Sequence, residues 1–226
     1  MPTRQCPSVG IVLVHQGDVI EHITLMNENY AHPAMPKGAE AGIIKGMYLF
    51  SEGGRDKGEG KTPKVQLLGS GTILREAIAA AELLEKDFGV AADIWSVTSF
   101  TELRREGLDC ERWNMLHPEA DARTSYVEQC LSGRSGPVIA ATDYIRSFAD
   151  QIRGFLPKHY IVLGTDGFGR SDTRKKLRRF FEVDRHYIAV AALKALADEG
   201  TIKPGEVSKA IKLYNVNPDK PNPTTV

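Results

Sequence analysis

The chain has 226 residues, which at roughly 150 residues per domain sets an expectation of one or two domains. Lys plus Arg and Asp plus Glu each number 29, so the formal net charge is zero and a general nucleic-acid binder is disfavoured. Hydrophobic residues make up 42%, enough for a full core, yet the longest apolar run, Tyr187 to Leu193, falls far short of the ~18 residues of a membrane span.

In chain order, Val9 to Val14 and Ile23 to Met26 read as strands before Pro33, Pro36 and Gly38 break regular structure. Ala39 to Lys45 reads as a short helix, Met47 to Phe50 as an edge strand, and residues 51 to 63 as a surface turn. The rhythm then becomes regular. Lys64 to Leu68 is a strand, and helical spacing of Leu74, Ala77, Ile78, Ala81 and Leu84 predicts a helix over 72–86. Ala91 to Val97 is a strand, and 99–113 a helix with Ser99 and Glu102 at capping-box spacing. Tyr126 to Leu131 is a short helix and Pro137 to Ala141 a strand. Asp143 is expected to cap a helix carrying Ile145, Phe148, Ala149 and Ile152. His159 to Leu163 is the next strand. Ser171 or Asp172 is expected to cap a helix through Phe181, Asp184 caps another, and Pro204 opens a last one to Tyr214. Strands alternating with helices predict an α/β fold of three layers, α/β/α, with a mostly parallel sheet of about five strands.

The motifs carry less chemistry than the pattern carries order. GGRDKGEGKT, residues 53–62, imitates a phosphate-binding loop but has Arg55 where the first glycine belongs, and a strand follows it where a helix should. Gly69, Ser70 and Gly71 lie between a strand and a helix, where N–H groups can meet an anion; with Leu74 in place of a third glycine, a tight turn is the alternative. Asp166, Gly167, Gly169, Arg170 and Ser171 follow a strand's carboxyl end, the place where open α/β sheets bind ligands. Arg170 there holds a carboxylate or phosphate, or else pairs with Asp166 in a structural loop. The basic run 174–179 reads as a solvated face or subunit contact more readily than as a nucleic-acid stripe. Six histidines form no HExxH, and Cys6, Cys110 and Cys130 form no CxxC pair, which leaves no zinc pattern and fits a reducing, cytoplasmic compartment. Asn215, Asn217 and Asp219 imitate a calcium loop that Pro218 and Lys220 interrupt.

Longer strings resemble one family. They are MNENYAHPAMPKGAEAGIIKGMY (26–48), KVQLLGSGTILREAIAAAELLEKDFGVAADIWSVTSFTELRREGLDCERWNMLHPE (64–119), GPVIAATDYIRSFADQIRGFLP (136–157), VLGTDGFGRSDTRKKLRRFFEVD (162–184) and the ending DKPNP. Over residues 23–223 the chain resembles the homodimeric, bacterial-type decarboxylating component of the pyruvate dehydrogenase complex. The resemblance implies a thiamine diphosphate enzyme of the transketolase type, much longer than this chain and matched only at its C-terminal end. It implies residues 1–36 as an irregular remnant of the middle domain and 37–226 as a transketolase C-terminal-like domain. Residues 1–22 are unmatched, with Ile20, Glu21 and His22 where the family carries aromatic residues. The family's diphosphate and Mg²⁺ sites, its activating acid and its catalytic histidines all lie upstream, so no catalytic, cofactor-binding or metal residue is carried over; His32 is not one of those histidines. The implied role is a module that supports dimer assembly and is not catalytic alone. Its partners are a second copy, the missing N-terminal and middle domains and, through the full enzyme, the dihydrolipoyl acetyltransferase complex, with neither nucleic acid nor membrane. The alternative is a stand-alone regulatory module that binds a small anion.

Overall fold

The computed structural model describes Ala31 and residues 33–54 and 62–226. The chain divides into Met1–Ala34 and Met35–Val226, and every element below lies in the second unit. The strands expected at 9–14 and 23–26, His32, and residues 55–61 of the GGRDKGEGKT stretch lie outside the described residues.

Helix α1 (Glu40–Lys45) leads into β1 (Met47–Ser51). Strand β2 (Lys64–Ser70) passes through a 3-10 turn (Gly71–Ile73) into α2 (Leu74–Phe88), and β3 (Ala91–Val97) comes next. Helices α3 (Phe100–Leu116) and α4 (Tyr126–Leu131) precede β4 (Val138–Ala141). Helix α5 (Arg146–Asp150) and a second 3-10 turn (Arg153–Phe155) precede β5 (Tyr160–Leu163), and α6 (Arg174–Phe180), α7 (Arg185–Asp198) and α8 (Pro204–Leu213) come after it. The five strands lie in the order β1-β3-β2-β4-β5. Four run parallel, and β1 is the antiparallel edge beside β3. The mostly parallel α/β sheet expected from the sequence is the one observed.

Period-two alternation along the strands builds the layers. Val65, Leu67, Ala92, Ile139 and Ala141 join a core with Ala77, Ala80 and Leu84 of α2, Ile188, Ala192 and Leu196 of α7, and Ala210 of α8. Leu68, Trp95, Val97, Val138 and Ala140 face the other way, against Leu103 of α3, Leu131 of α4 and Ala149 of α5. Parallel strands covered on both faces need apolar residues at nearly every position, which is why they stand out in the sequence as short unbroken runs. One polar group breaks the pattern. Asp93, fully buried in β3, accepts hydrogen bonds from Gly53 N (3.1 Å) and Gln66 Nε2 (3.1 Å) and pairs with Lys64 Nζ (2.8 Å). Gln66 Oε1 accepts from Trp95 Nε1 at 2.9 Å, so each buried polar group here has a partner.

Two expected caps are present. Ser99 Oγ accepts from Glu102 N at 3.1 Å, although the Glu102 carboxylate turns to Arg105, so only half of the capping box forms. Asp184 accepts from His186 N and Tyr187 N, both at 3.0 Å. Two others are corrected. Helix α5 is capped by the backbone of Ile145 and not by Asp143, and α6 by Thr173 and not by Ser171 or Asp172. Ile145 and Thr173 are both extended, with ψ near 147°, so the acids stand upstream of the helix's free N–H groups. Asp172 turns instead onto the N–H of Thr173 at 2.7 Å.

Candidate functional site

Parallel strands send all their carboxyl ends to one edge, and in this sheet β2, β4 and β5 are neighbours there. The two glycine-bearing segments singled out in the sequence follow β2 and β5. The segment between them in space, 142–146 after β4, links them. Thr72 Oγ1 donates to Asp143 Oδ2 at 3.1 Å. Thr165 Oγ1 donates to the Asp143 carbonyl at 2.7 Å, and Thr165 N to the Tyr144 carbonyl at 2.9 Å. Arg146 closes the far side, its Nε 3.2 Å from Asp166 Oδ2. Asp166 therefore pairs with Arg146 and not with Arg170.

Each candidate residue has a definite place. Gly69 lies where a Cβ would come 2.6 Å from Leu74 Cα, so it is the close packing of α2 on β2 that requires glycine. Ser70 ends β2, and Gly71, at φ +56°, turns the chain with the Asp143 carboxylate in front of it. An anion at this turn would meet a carboxylate. Gly167, at φ +112°, lies against the Pro223 carbonyl. Gly169 faces open space. Arg170 leaves the edge and lays its guanidinium over the Phe180 ring, 4.4 Å from the centroid. With Ser171, Asp172, Lys176, Leu177 and Phe180 it lines a cavity of about 360 Å³ on the α6 side. The structure thus links the turn after β2 to the loop after β5 through Asp143, while Arg170 and Ser171 line the cavity on the α6 side.

Two of the five charges in the basic run face inward, while Lys175 and Lys176 are exposed. Arg178 pairs with Glu76, and Arg179 with Asp184 and the carbonyls of Tyr214 and Asn215. Among the described residues no three His, Cys, Asp or Glu side chains are grouped to hold a metal ion, and no helix is long and apolar enough to cross a membrane. Residues that sequence reasoning missed are Thr72, Asp143, Thr165 and Arg146. A readable signal was present, since both β4 and β5 run out into a Thr-Asp pair, Thr142-Asp143 and, one glycine later, Thr165-Asp166.

The profile of transketolase-like C-terminal domains matches residues 46–184. The chain is 60% identical over 211 residues to the pyruvate dehydrogenase E1 component of Cupriavidus necator, covering 93% of this chain and 23% of that protein. It is 62% identical over 213 residues to the Pseudomonas aeruginosa protein of the same name, covering 94% and 24%. For that of Escherichia coli K12 the figures are 53% over 209 residues, 92% and 23%. The chain spans about a quarter of the length of the curated relatives it matches. Among solved structures, transketolase from Campylobacter jejuni superposes on 67% of this chain and 19% of its own, at 23% identity and a TM-score of 0.44.

Proposed function

We propose that this chain, which belongs to the transketolase-like C-terminal domain family, is the C-terminal module of a pyruvate dehydrogenase E1 component and serves subunit assembly, not the chemical step. One observation carries the assembly role. Tyr144, Ile145 and Phe148 stand 54%, 48% and 43% exposed on one short stretch beside the carboxyl edge. The Tyr144 and Phe148 rings lie 5.7 Å apart, and clustered exposed aromatic rings suit contact with another protein surface. That surface is a second copy or the enzyme's remaining domains.

Thiamine diphosphate and Mg²⁺ belong, in this reading, to the N-terminal and middle domains. The carboxyl edge here suits a diphosphate poorly, because Asp143 faces the Gly71 turn and Asp166 engages Arg146. Joined to those domains, the module supports cytoplasmic decarboxylation of pyruvate and acetyl transfer to the lipoyl carrier of the acetyltransferase. Calorimetric titration of the folded chain with thiamine diphosphate and Mg²⁺ tests the non-catalytic half, where no heat is expected and saturable binding overturns it. Light scattering across a concentration series tests the other half; self-association is expected if the surface meets a second copy, and a monomer at high concentration excludes that partner and leaves the enzyme's remaining domains.

The regulatory alternative, a small anion at Gly69–Gly71 or Asp166–Ser171, keeps only Arg170 and Ser171 at the cavity beside α6, where Asp172 also lies and pairs with Lys176. It requires inorganic phosphate or a small carboxylate to raise the melting temperature, and an unchanged melting temperature removes it.

A further inference from the structure

Helix α8 ends in a Schellman closure, with Val216 N donating to Ile211 O (2.9 Å) and Asn215 N to Lys212 O (3.1 Å). Asn215 takes the left-handed conformation at φ 49° and sends the chain back over α6. Side chains of α6, of the turn after it and of the returning chain itself hold residues 214–220 in place. Arg179 Nη2 donates to the carbonyls of Tyr214 (3.0 Å) and Asn215 (2.5 Å). Lys220 Nζ donates to the Phe180 carbonyl (2.5 Å) and to Glu182 Oε1 (2.9 Å), and lies over the rings of Phe180 and Tyr187. Glu182 is itself left-handed at φ 62°, a conformation uncommon for a residue with a Cβ, held where its carboxylate meets Lys220.

The end of this segment reaches the loop after β5. Pro223 is buried, and its carbonyl lies where a Cβ on Gly167 would come within 2.3 Å. A second link runs through Phe180, whose ring is shared by Arg170 from the loop and Lys220 from the segment. The loop and the segment thus touch at Gly167 and again around one aromatic ring.

We propose that residues 214–225 form a strap that fixes the loop 164–173, so that docking of the strap and presentation of Asp166 and Phe168 at the carboxyl edge are one coupled equilibrium. Phe168, 81% exposed, is the group whose position the strap governs. Coupling of this kind is reciprocal, so loosening either partner loosens the other. The strap itself touches the loop at Gly167 and around the Phe180 ring, while the loop's own ties to the Tyr144–Phe148 stretch run through Thr165 and Asp166. Exchange in the loop and strap peptides reads the proposal, and self-association reads the assembly role.

Hydrogen–deuterium exchange on the full 226-residue chain tests it. Lys220→Met keeps the aliphatic stem and removes the ammonium; exchange is expected to become roughly tenfold faster in 216–225 and also in 164–172. Peptides from β2 and β4 should keep their wild-type rates. Gly167→Ala is expected to act in reverse, speeding exchange in 220–225. Acceleration of 216–225 in Lys220→Met with 164–172 unchanged overturns the proposal, and so does a Gly167→Ala chain whose 220–225 exchange stays at the wild-type rate.

Discussion

Glu76 and Arg185, far apart in sequence, are joined by three hydrogen bonds: Arg185 N and Nε donate to Glu76 Oε2 at 3.0 and 2.9 Å, and Nη2 donates to Oε1 at 3.1 Å. Arg178 Nη1 adds a fourth contact at 3.1 Å. One buried carboxylate in α2 therefore holds the last residues of α6 and the first turn of α7. Glu76→Ala leaves Arg178, itself mostly buried, without its carboxylate, while Arg185 keeps access to water. The expected loss is about 2 to 3 kcal/mol, read as a lower urea midpoint at unchanged slope. An unshifted midpoint would mean that the fork adds nothing to folding.

The same carboxylate gives the stability a pH dependence. Burial pushes the Glu76 carboxyl up, but the hydrogen bonds from Arg185 and the charges of Arg185 and Arg178 outweigh it and hold the group below its ordinary 4.5. The native state then binds fewer protons than the unfolded chain at acid pH. The stabilisation is complete above the ordinary value and is lost as pH falls through the native one. Glu76→Gln is expected to flatten the urea midpoint against pH below about pH 5, relative to wild type. Parallel curves for the two proteins would assign the acid sensitivity elsewhere.

Cys110 is expected to be inert in the folded chain. Burial, with the hydrogen bond to Glu106 Oε1 at 3.3 Å, pushes its thiol up to about 11. At pH 8 the thiolate is then scarce, and alkylation by iodoacetamide should run on the order of a hundredfold slower than in urea. Mass spectrometry of the quenched reaction locates the label; rapid native labelling at Cys110 would contradict the packing described here.

If the aromatic stretch beside α5 is the contact surface, Phe148→Ser should weaken self-association by at least tenfold while leaving the melting temperature within a few degrees. Sedimentation velocity reads the first quantity and calorimetry the second. Undiminished association in that variant would move the interface away from this edge.

Much of the fold was legible because its signals are local. Ala91–Val97 and Tyr126–Leu131 begin and end where sequence pattern places them, and Asp184 caps α7 as its position suggests. Boundaries slipped where a turn intervenes; the 3-10 turn at Gly71–Ile73 delays α2 to Leu74. The site was less legible because its partners are remote. Asp166 is close in sequence to Arg170, yet its ion pair is with Arg146 on the neighbouring strand's exit. Asp143 has the residue type of a cap, but an extended Ile145 separates it from the helix. The path of 214–225 over α6 is carried by contacts of Arg179 and Lys220 with backbone carbonyls, which side-chain patterns cannot announce.

Strand β2 is central, and its two neighbours lie at very unequal distances along the chain. Lys64 stands opposite Ala91, reached through α2 alone, whereas Gln66 also stands opposite Val138, reached only after β3, α3 and α4. Closing the longer loop costs more chain entropy, so the pairing of β2 with β3 is the cheaper first step of assembly. The half of the sheet that carries Asp143 and Asp166 is then the half that joins last, on a template already built. A nascent chain leaving the ribosome would meet these steps in the same order.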